Sequence, residues 1–99
     1  LSGERLESGR VVLEYSTHQV VAGKQKVILT PKEFALLRCL MENRGLALSR
    51  EQLLVKCWGY DYEGESRAVD THIKRLREKL GEYASCIKTV IKVGYRWEG

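Results

Sequence analysis

The sequence predicts an α+β domain: an N-terminal antiparallel sheet, a three-helix core and a C-terminal β-hairpin. Three observations carry that reading. Short β-rich runs crowd residues 11–29, two capping boxes open apolar helical patterns in the middle, and two further β-rich runs meet around Gly94.

Taken in order, residues 11–15 (Val-Val-Leu-Glu-Tyr) read as a strand and residues 19–21 as a second. Residues 22–25 read as a turn, and residues 26–29 as a third strand. Strands this close in sequence pair antiparallel. A ribbon of two or three strands is marginal alone and needs an apolar surface beneath it.

The next segment supplies that surface. Thr30-Pro31-Lys32-Glu33 is a helix start: Thr30 caps, Pro31 sits where its missing N–H costs nothing, and Glu33 closes a capping box. Phe34, Leu37 and Met41 fall on one face, and Leu36 and Leu40 widen it, so this helix belongs at the centre of the core. Asn43-Arg44-Gly45 ends it. Ser49-Arg50-Glu51-Gln52 opens a shorter helix through Leu53, Leu54 and Cys57. Residues 58–65, with two glycines and three aromatics, read as an ordered loop because aromatics need something to pack against. Ser66 is the expected N-cap of a third helix over 67–80, which Gly81 ends. Residues 87–91 and 95–97 form the hairpin, with Gly94 in its turn region.

Composition narrows the function. The chain has 99 residues, 43% hydrophobic and 30% charged, which suits one folded domain over residues 1–99 and excludes wholesale disorder. No apolar run approaches the roughly 20 residues that span a bilayer, so no membrane partner is expected. Leu1-Ser2-Gly3-Glu4-Arg5 lacks the apolar segment of a secretory leader, and no initiator Met precedes it; the expectation is a piece of a longer, cytoplasmic protein. Cys39, Cys57 and Cys86 are odd in number and widely spaced, unlike a disulfide framework or a zinc site. They read as packing residues, since redox sensing needs an accessible thiolate. No nucleophile–base pair, phosphate-cradling loop or carboxylate pair is apparent, so an enzyme is not expected, nor any metal or cofactor.

The net charge is +4, and +3 of it lies on residues 66–80. At about 100° per residue, Val69, Ile73, Leu76 and Leu80 form an aliphatic stripe. Opposite it stand Arg67, Thr71, Lys74 and Glu78, with Arg75 and Ala68 on one flank and Asp70 and Arg77 on the other. Such a face fits a major groove, where Arg and Lys reach guanine edges and a Thr methyl touches thymine. A merely solvated basic face is the competing reading of this helix taken alone. Two helices, a loop, a basic third helix and a hairpin are, however, the order of a winged helix-turn-helix. Lys92 and Arg96 would arm the hairpin, and Thr89 and Tyr95 could donate to phosphates. His72 lies close to the buried stripe, which suits packing or a phosphate bond. Asp70 suits the helix N-terminus and can orient a neighbouring Arg; two residues apart, Asp70 and His72 do not face each other.

The chain resembles the C-terminal DNA-binding domain of the OmpR/PhoB family of two-component response regulators. The resemblance rests on residues 29–37 (Leu-Thr-Pro-Lys-Glu-Phe-Ala-Leu-Leu), 48–54 with Trp58-Gly59, 67–77, and Val93-Gly94-Tyr95-Arg96. It implies a four-stranded N-terminal sheet, a three-helix core and a wing. It also implies transcription regulation within a phosphorelay: an N-terminal receiver domain outside this chain, a cognate sensor kinase, head-to-tail pairs on direct-repeat promoter DNA, and contact with RNA polymerase. By the same resemblance Thr71, Lys74, Arg75 and Arg77 read bases, while Arg50, Trp58, Arg67, His72, Thr89 and Tyr95 contact the DNA backbone. Trp58 is equally a core anchor. The loop bearing Tyr60, Asp61, Tyr62 and Glu63 corresponds to the polymerase-contacting loop, with simple loop packing as the alternative for its tyrosines. One departure stands out: Ile91 and Lys92 occupy the positions where many members have an arginine, then glycine. Lys92 lacks the guanidinium fork, so the wing is expected to add nonspecific affinity. The rival from another class is a winged helix that docks a protein partner and binds no DNA.

Overall fold

The first four strands form an antiparallel meander in the order β1-β2-β3-β4: β1 Arg5–Ser8, β2 Val11–Glu14, β3 Gln19–Ala22 and β4 Gln25–Val27. These come from a computed structural model that describes residues 4–99. The pairing Val11↔Ala22 and Leu13↔Val20 puts four small or aliphatic side chains on one face, and all four are buried. That face supplies the apolar surface a hairpin ribbon lacks by itself. The expected third strand ends early, at Val27, and leaves Ile28 80% exposed. The strand β1 carries only Leu6 as an apolar residue, so it has no alternation to detect. Its backbone pairing with β2 and the buried Ser8 define it instead.

Helix α1, Pro31–Glu42, starts with both bonds of the expected capping box: Glu33 N–H donates to Thr30 Oγ1 at 3.3 Å, and Thr30 N–H to Glu33 Oε1 at 2.9 Å. Phe34, Leu36, Leu37, Cys39, Leu40 and Met41 are buried, so α1 lies at the centre of the core as its all-round apolarity predicted. Glu33 is buried too and holds the Lys79 ammonium of the third helix at 2.6 Å. Burial alone would raise its pKa. The Lys79 bond, with those from Thr30, overrides that and holds the carboxyl below its ordinary 4.5. Its stabilising contribution is therefore complete above about pH 4.5 and lost as pH falls through the depressed value. A Glu33→Gln protein, which keeps the cap but not the charge, is expected to lose about 1 kcal/mol at neutral pH. Urea melts should show this deficit shrinking as pH falls below 4.5 and through the depressed value; a deficit unchanged between neutral pH and the acid end of the folded range would refute it.

Strand β5, Leu48–Ser49, leads into α2, Arg50–Trp58, through the second capping box, in which Gln52 N–H donates to Ser49 Oγ at 3.0 Å and Ser49 N–H to Gln52 Oε1 at 2.8 Å. Helix α3 runs Arg67–Leu80 and buries Val69, Ile73, Leu76 and Leu80 as one stripe. Ser66 stands at its N-cap position without capping by its side chain. Its own backbone is already helical (φ −64°, ψ −13°), which turns the hydroxyl away from the first-turn amides. Gly81 ends α3 at φ 62°, and a 3₁₀ segment, Gly81–Cys86, leads to the hairpin β6 Ile87–Val90 and β7 Gly94–Trp97.

The second sheet has the order β5-β7-β6. Its turn occupies residues 91–93, and the left-handed position falls on Lys92 (φ 67°) rather than on Gly94. Gly94 has another reason to be glycine: a Cβ there would lie 2.1 Å from the Leu48 carbonyl oxygen, where β5 crosses β7. Trp97, wholly buried, donates its indole N–H to Ser8 Oγ at 2.8 Å and so ties the two sheets together. Its carbonyl accepts from Gly45 N–H at 3.0 Å, which attaches the end of α1 to β7.

Candidate nucleic-acid interface

The exposed face of α3 is basic. Arg67, Thr71, Lys74 and Arg75 are exposed, and among the described residues no ion pair engages Arg67, Lys74 or Arg75. Three cations left without a counter-charge on one ridge are poised for an external anion. Thr71 Oγ1 donates back to the Arg67 carbonyl at 3.3 Å.

The flank of α3 nearer the hairpin is wired to the rest of the fold. Asp70 Oδ1 accepts from Arg50 Nε at 2.9 Å, at the start of α2, and from Tyr95 Oη at 2.5 Å, on β7. Arg77 donates through one terminal nitrogen to the Ile87 carbonyl at 2.8 Å and to Thr89 Oγ1 at 2.9 Å, and its guanidinium lies 5.5 Å from the Tyr95 ring centre. Burial, the bond to Asp70 and that carboxylate's charge all raise the Tyr95 pKa, so its hydroxyl stays a donor across the physiological range. The expected orienting role of Asp70 is realised, through Arg50. One network thus joins α2, α3 and the hairpin, fixing the angle at which the basic ridge is presented. Sequence reasoning missed the Arg77 part, because a helical wheel shows which flank a residue occupies but not what faces it.

On the opposite flank His72 Nδ1 donates to the Ala68 carbonyl at 2.9 Å, and its ring meets the half-buried Trp58 edge-on at 5.1 Å. Trp58 in turn carries the Lys32 ammonium 5.3 Å from its ring centre and packs against Tyr62 at 6.0 Å. The core-anchor reading of Trp58 therefore holds in this structure. Tyr62 anchors the loop between α2 and α3, whereas Tyr60 is 91% exposed, and Asp61 and Glu63 are exposed beside it.

At the hairpin, Lys92 forms the exposed tip between Ile91 and Val93, 81% and 45% exposed. Arg96 is paired with Glu98, so its charge is partly neutralised. Among the described residues no group of three or more His, Cys, Asp or Glu could hold a metal ion, and no helix is long and apolar enough to cross a membrane.

This arrangement, a basic third helix braced by a second helix and a β-hairpin, defines a winged helix-turn-helix of the kind found in DNA-binding regulators. The chain belongs to the family described as transcriptional regulatory protein, C terminal, whose sequence model matches residues 24–97. It is 44% identical over 97 residues to the transcriptional regulatory protein SrrA of Staphylococcus aureus, covering 94% of this chain and 40% of that protein. The chain thus spans well under half the length of such curated relatives. Among solved structures it superposes on the RstA DNA-binding domain of Klebsiella pneumoniae in complex with the RstA box, with a TM-score of 0.84 at 33% identity over 95% of this chain and 96% of that one. It also matches DrrB, an OmpR/PhoB homologue of Thermotoga maritima, with a TM-score of 0.84 at 31% identity, covering 96% of this chain and 44% of that one. The N-terminal sheet, three helices and C-terminal hairpin seen here agree with the expected winged-helix architecture, and the family is one of transcription regulators rather than enzymes.

Proposed function

We propose that this chain is the DNA-binding output module of a two-component response regulator, with α3 entering the major groove of promoter DNA. The observation that carries the reading is the unpaired basic ridge of α3, held at a set angle by the Asp70 network. Thr71, Lys74 and Arg75 are the base-reading residues. Arg77, expected among them, has two hydrogen bonds to the hairpin and serves to brace it.

Arg50 and Arg67 supply phosphate contacts at the start of α2 and α3. Thr89 accepts from Arg77 and keeps its own proton to donate. The Trp58 indole N–H and the His72 ring complete the backbone clamp on the far flank. Tyr95 acts on the backbone either directly or by holding Asp70 and Arg50. Lys92 adds electrostatic attraction from the wing tip, with a smaller part for the paired Arg96.

The wider setting belongs to the same proposal: a receiver domain and sensor kinase upstream, head-to-tail pairs on direct repeats, and RNA polymerase at the exposed loop of Tyr60, Asp61, Tyr62 and Glu63, in the cytoplasm. Selection of bound duplexes from a random pool is expected to return a directly repeated motif. Salt titration on the selected duplex should show log Kd changing linearly with log salt, by about 0.9 per phosphate contacted. Absence of binding at low salt would overturn this reading and favour the protein-docking alternative.

A further inference from the structure

The apex of the hairpin breaks the rules of its own turn. Val93 N–H donates to the Val90 carbonyl at 3.0 Å and closes a four-residue turn over Ile91 and Lys92. Lys92 takes a φ of 67° at the third position of that turn, where glycine or asparagine usually stands. Residues 90–93 (Val-Ile-Lys-Val) hold none of the ordinary turn-formers, and a lysine side chain at this φ is strained. Ile91 and Val93, on either side of it, are 81% and 45% exposed. One exposed aliphatic side chain is unremarkable, but two of them around a strained cation at an apex call for a function. The apex is cationic and firmly placed. Residues 87–97 carry Lys88, Lys92 and Arg96 and no acidic residue. Among the described residues, neither Lys88 nor Lys92 is in an ion pair. Arg77 of α3 holds the hairpin at Ile87 and Thr89, and Asp70 holds it at Tyr95. Ile91 therefore stands two residues, about 7 Å along the strand, beyond the point where the basic helix grips Thr89.

We propose that Ile91 is an apolar wedge, which enters the minor groove beside the major-groove site of α3 and partly unstacks one base step. The inference rests on the DNA-binding reading above and gives the wing a part in specificity beyond the attraction of Lys92. A minor groove about 6 Å wide admits a hairpin apex carrying one branched side chain, though not a helix. Phosphates line that groove on both sides, so the cations of the apex favour its entry and the lack of acids leaves nothing to repel it. Once inside, an aliphatic side chain finds no groove partner better than the faces of two bases prised apart. Burial of the Ile91 side chain there offsets the cost of unstacking, and the kink it makes brings more backbone against the protein. Unstacking is easiest at pyrimidine–purine steps, so Ile91 selects such a step without a hydrogen bond to any base.

The test uses the whole chain and a duplex selected from a random pool. The duplex is labelled at both ends for energy transfer, with 2-aminopurine replacing one flanking adenine at a time. Binding is expected to bring the ends closer, as for a kink of about 20–90°, and to raise 2-aminopurine emission at a single flanking step. Ile91→Ser, at an exposed position, should keep the native Tm and lose both the kink and the emission rise. Its affinity should fall about 5- to 10-fold with the salt slope unchanged, because no charge is removed. Lys92→Gly relieves the positive φ, so it should melt no lower than the native chain and keep the kink, while its salt slope falls by about 0.9. Binding without an emission rise at any flanking step overturns the wedge and leaves the reading of α3 standing. So does an Ile91→Ser protein that matches the native chain in affinity and bend. Self-association of the free chain, abolished by Ile91→Ser, would assign the apex to a second copy and overturn the wedge as well. Failure to bind any duplex overturns the DNA-binding reading itself, and the wedge with it.

Discussion

A Trp97→Ala protein is expected to lose about 3–5 kcal/mol of stability, the cost of removing a large buried aromatic and leaving a cavity. Trp97 has no exposed surface, and its indole N–H is the hydrogen-bond partner of the buried Ser8, so the substitution also strands a hydroxyl. Against the roughly 5–15 kcal/mol that hold a typical domain together, this is a large share. For a chain of this length it corresponds to a fall in Tm of about 15–30 °C. Trp97→Phe keeps most of the volume and removes only the donor, so its loss should be nearer 1–2 kcal/mol. Thermal melts of the two proteins separate packing from hydrogen bonding. A Trp97→Ala shift under about 5 °C would show that the two sheets do not depend on this residue.

The elements that were legible in sequence are those whose cause is local. Thr30 with Glu33 and Ser49 with Gln52 announce helix starts within four residues, and both boxes form with all four bonds. Val69, Ile73, Leu76 and Leu80 repeat at the helical period, and all are buried. What escaped was non-local. Strand β5 is two residues long, too short to show a period, and exists because β7 pairs with it. Strand β1 offers Arg-Leu-Glu-Ser, and its place is set by backbone pairing to β2 and by a tryptophan at the far end of the chain. His18 carried no signal in its turn, yet its ring stacks on Phe34 at 4.2 Å between centres.

The site divides the same way. That α3 carries a basic ridge follows from one helix and its period. That Arg77 is tied to Thr89 and that Asp70 joins Arg50 to Tyr95 both depend on how separate elements dock. The cysteines read as packing groups in the sequence, and Cys39 is in the core with Cys57 and Cys86 partly buried against it. In the hairpin, Gly94 drew attention as a turn residue and proved to be needed by β5 instead.

Arg75 and Arg77, two residues apart on α3, are expected to fail in different ways when truncated. Arg75 is exposed and, among the described residues, in no ion pair, so Arg75→Ala should leave Tm within about 2 °C of the native value, as for other surface substitutions. Its affinity for the selected duplex should fall by about 1–3 kcal/mol, roughly 5- to 150-fold, with discrimination lost at one or two base pairs. Arg77→Ala breaks two hydrogen bonds to the hairpin and the stacking on Tyr95, so it should cost about 1–2 kcal/mol of stability. With the wing loosened, its affinity should drop on all duplexes alike, cognate and mutated, without a change in the preferred sequence. Measuring both variants against a panel of single-base-pair changes separates reading from bracing. If Arg77→Ala relaxed the preference at a particular base pair while its Tm held, Arg77 would be a reader after all. If Arg75→Ala weakened every duplex equally, the ridge would be a phosphate clamp, and sequence readout would have to come from Lys74 and Thr71.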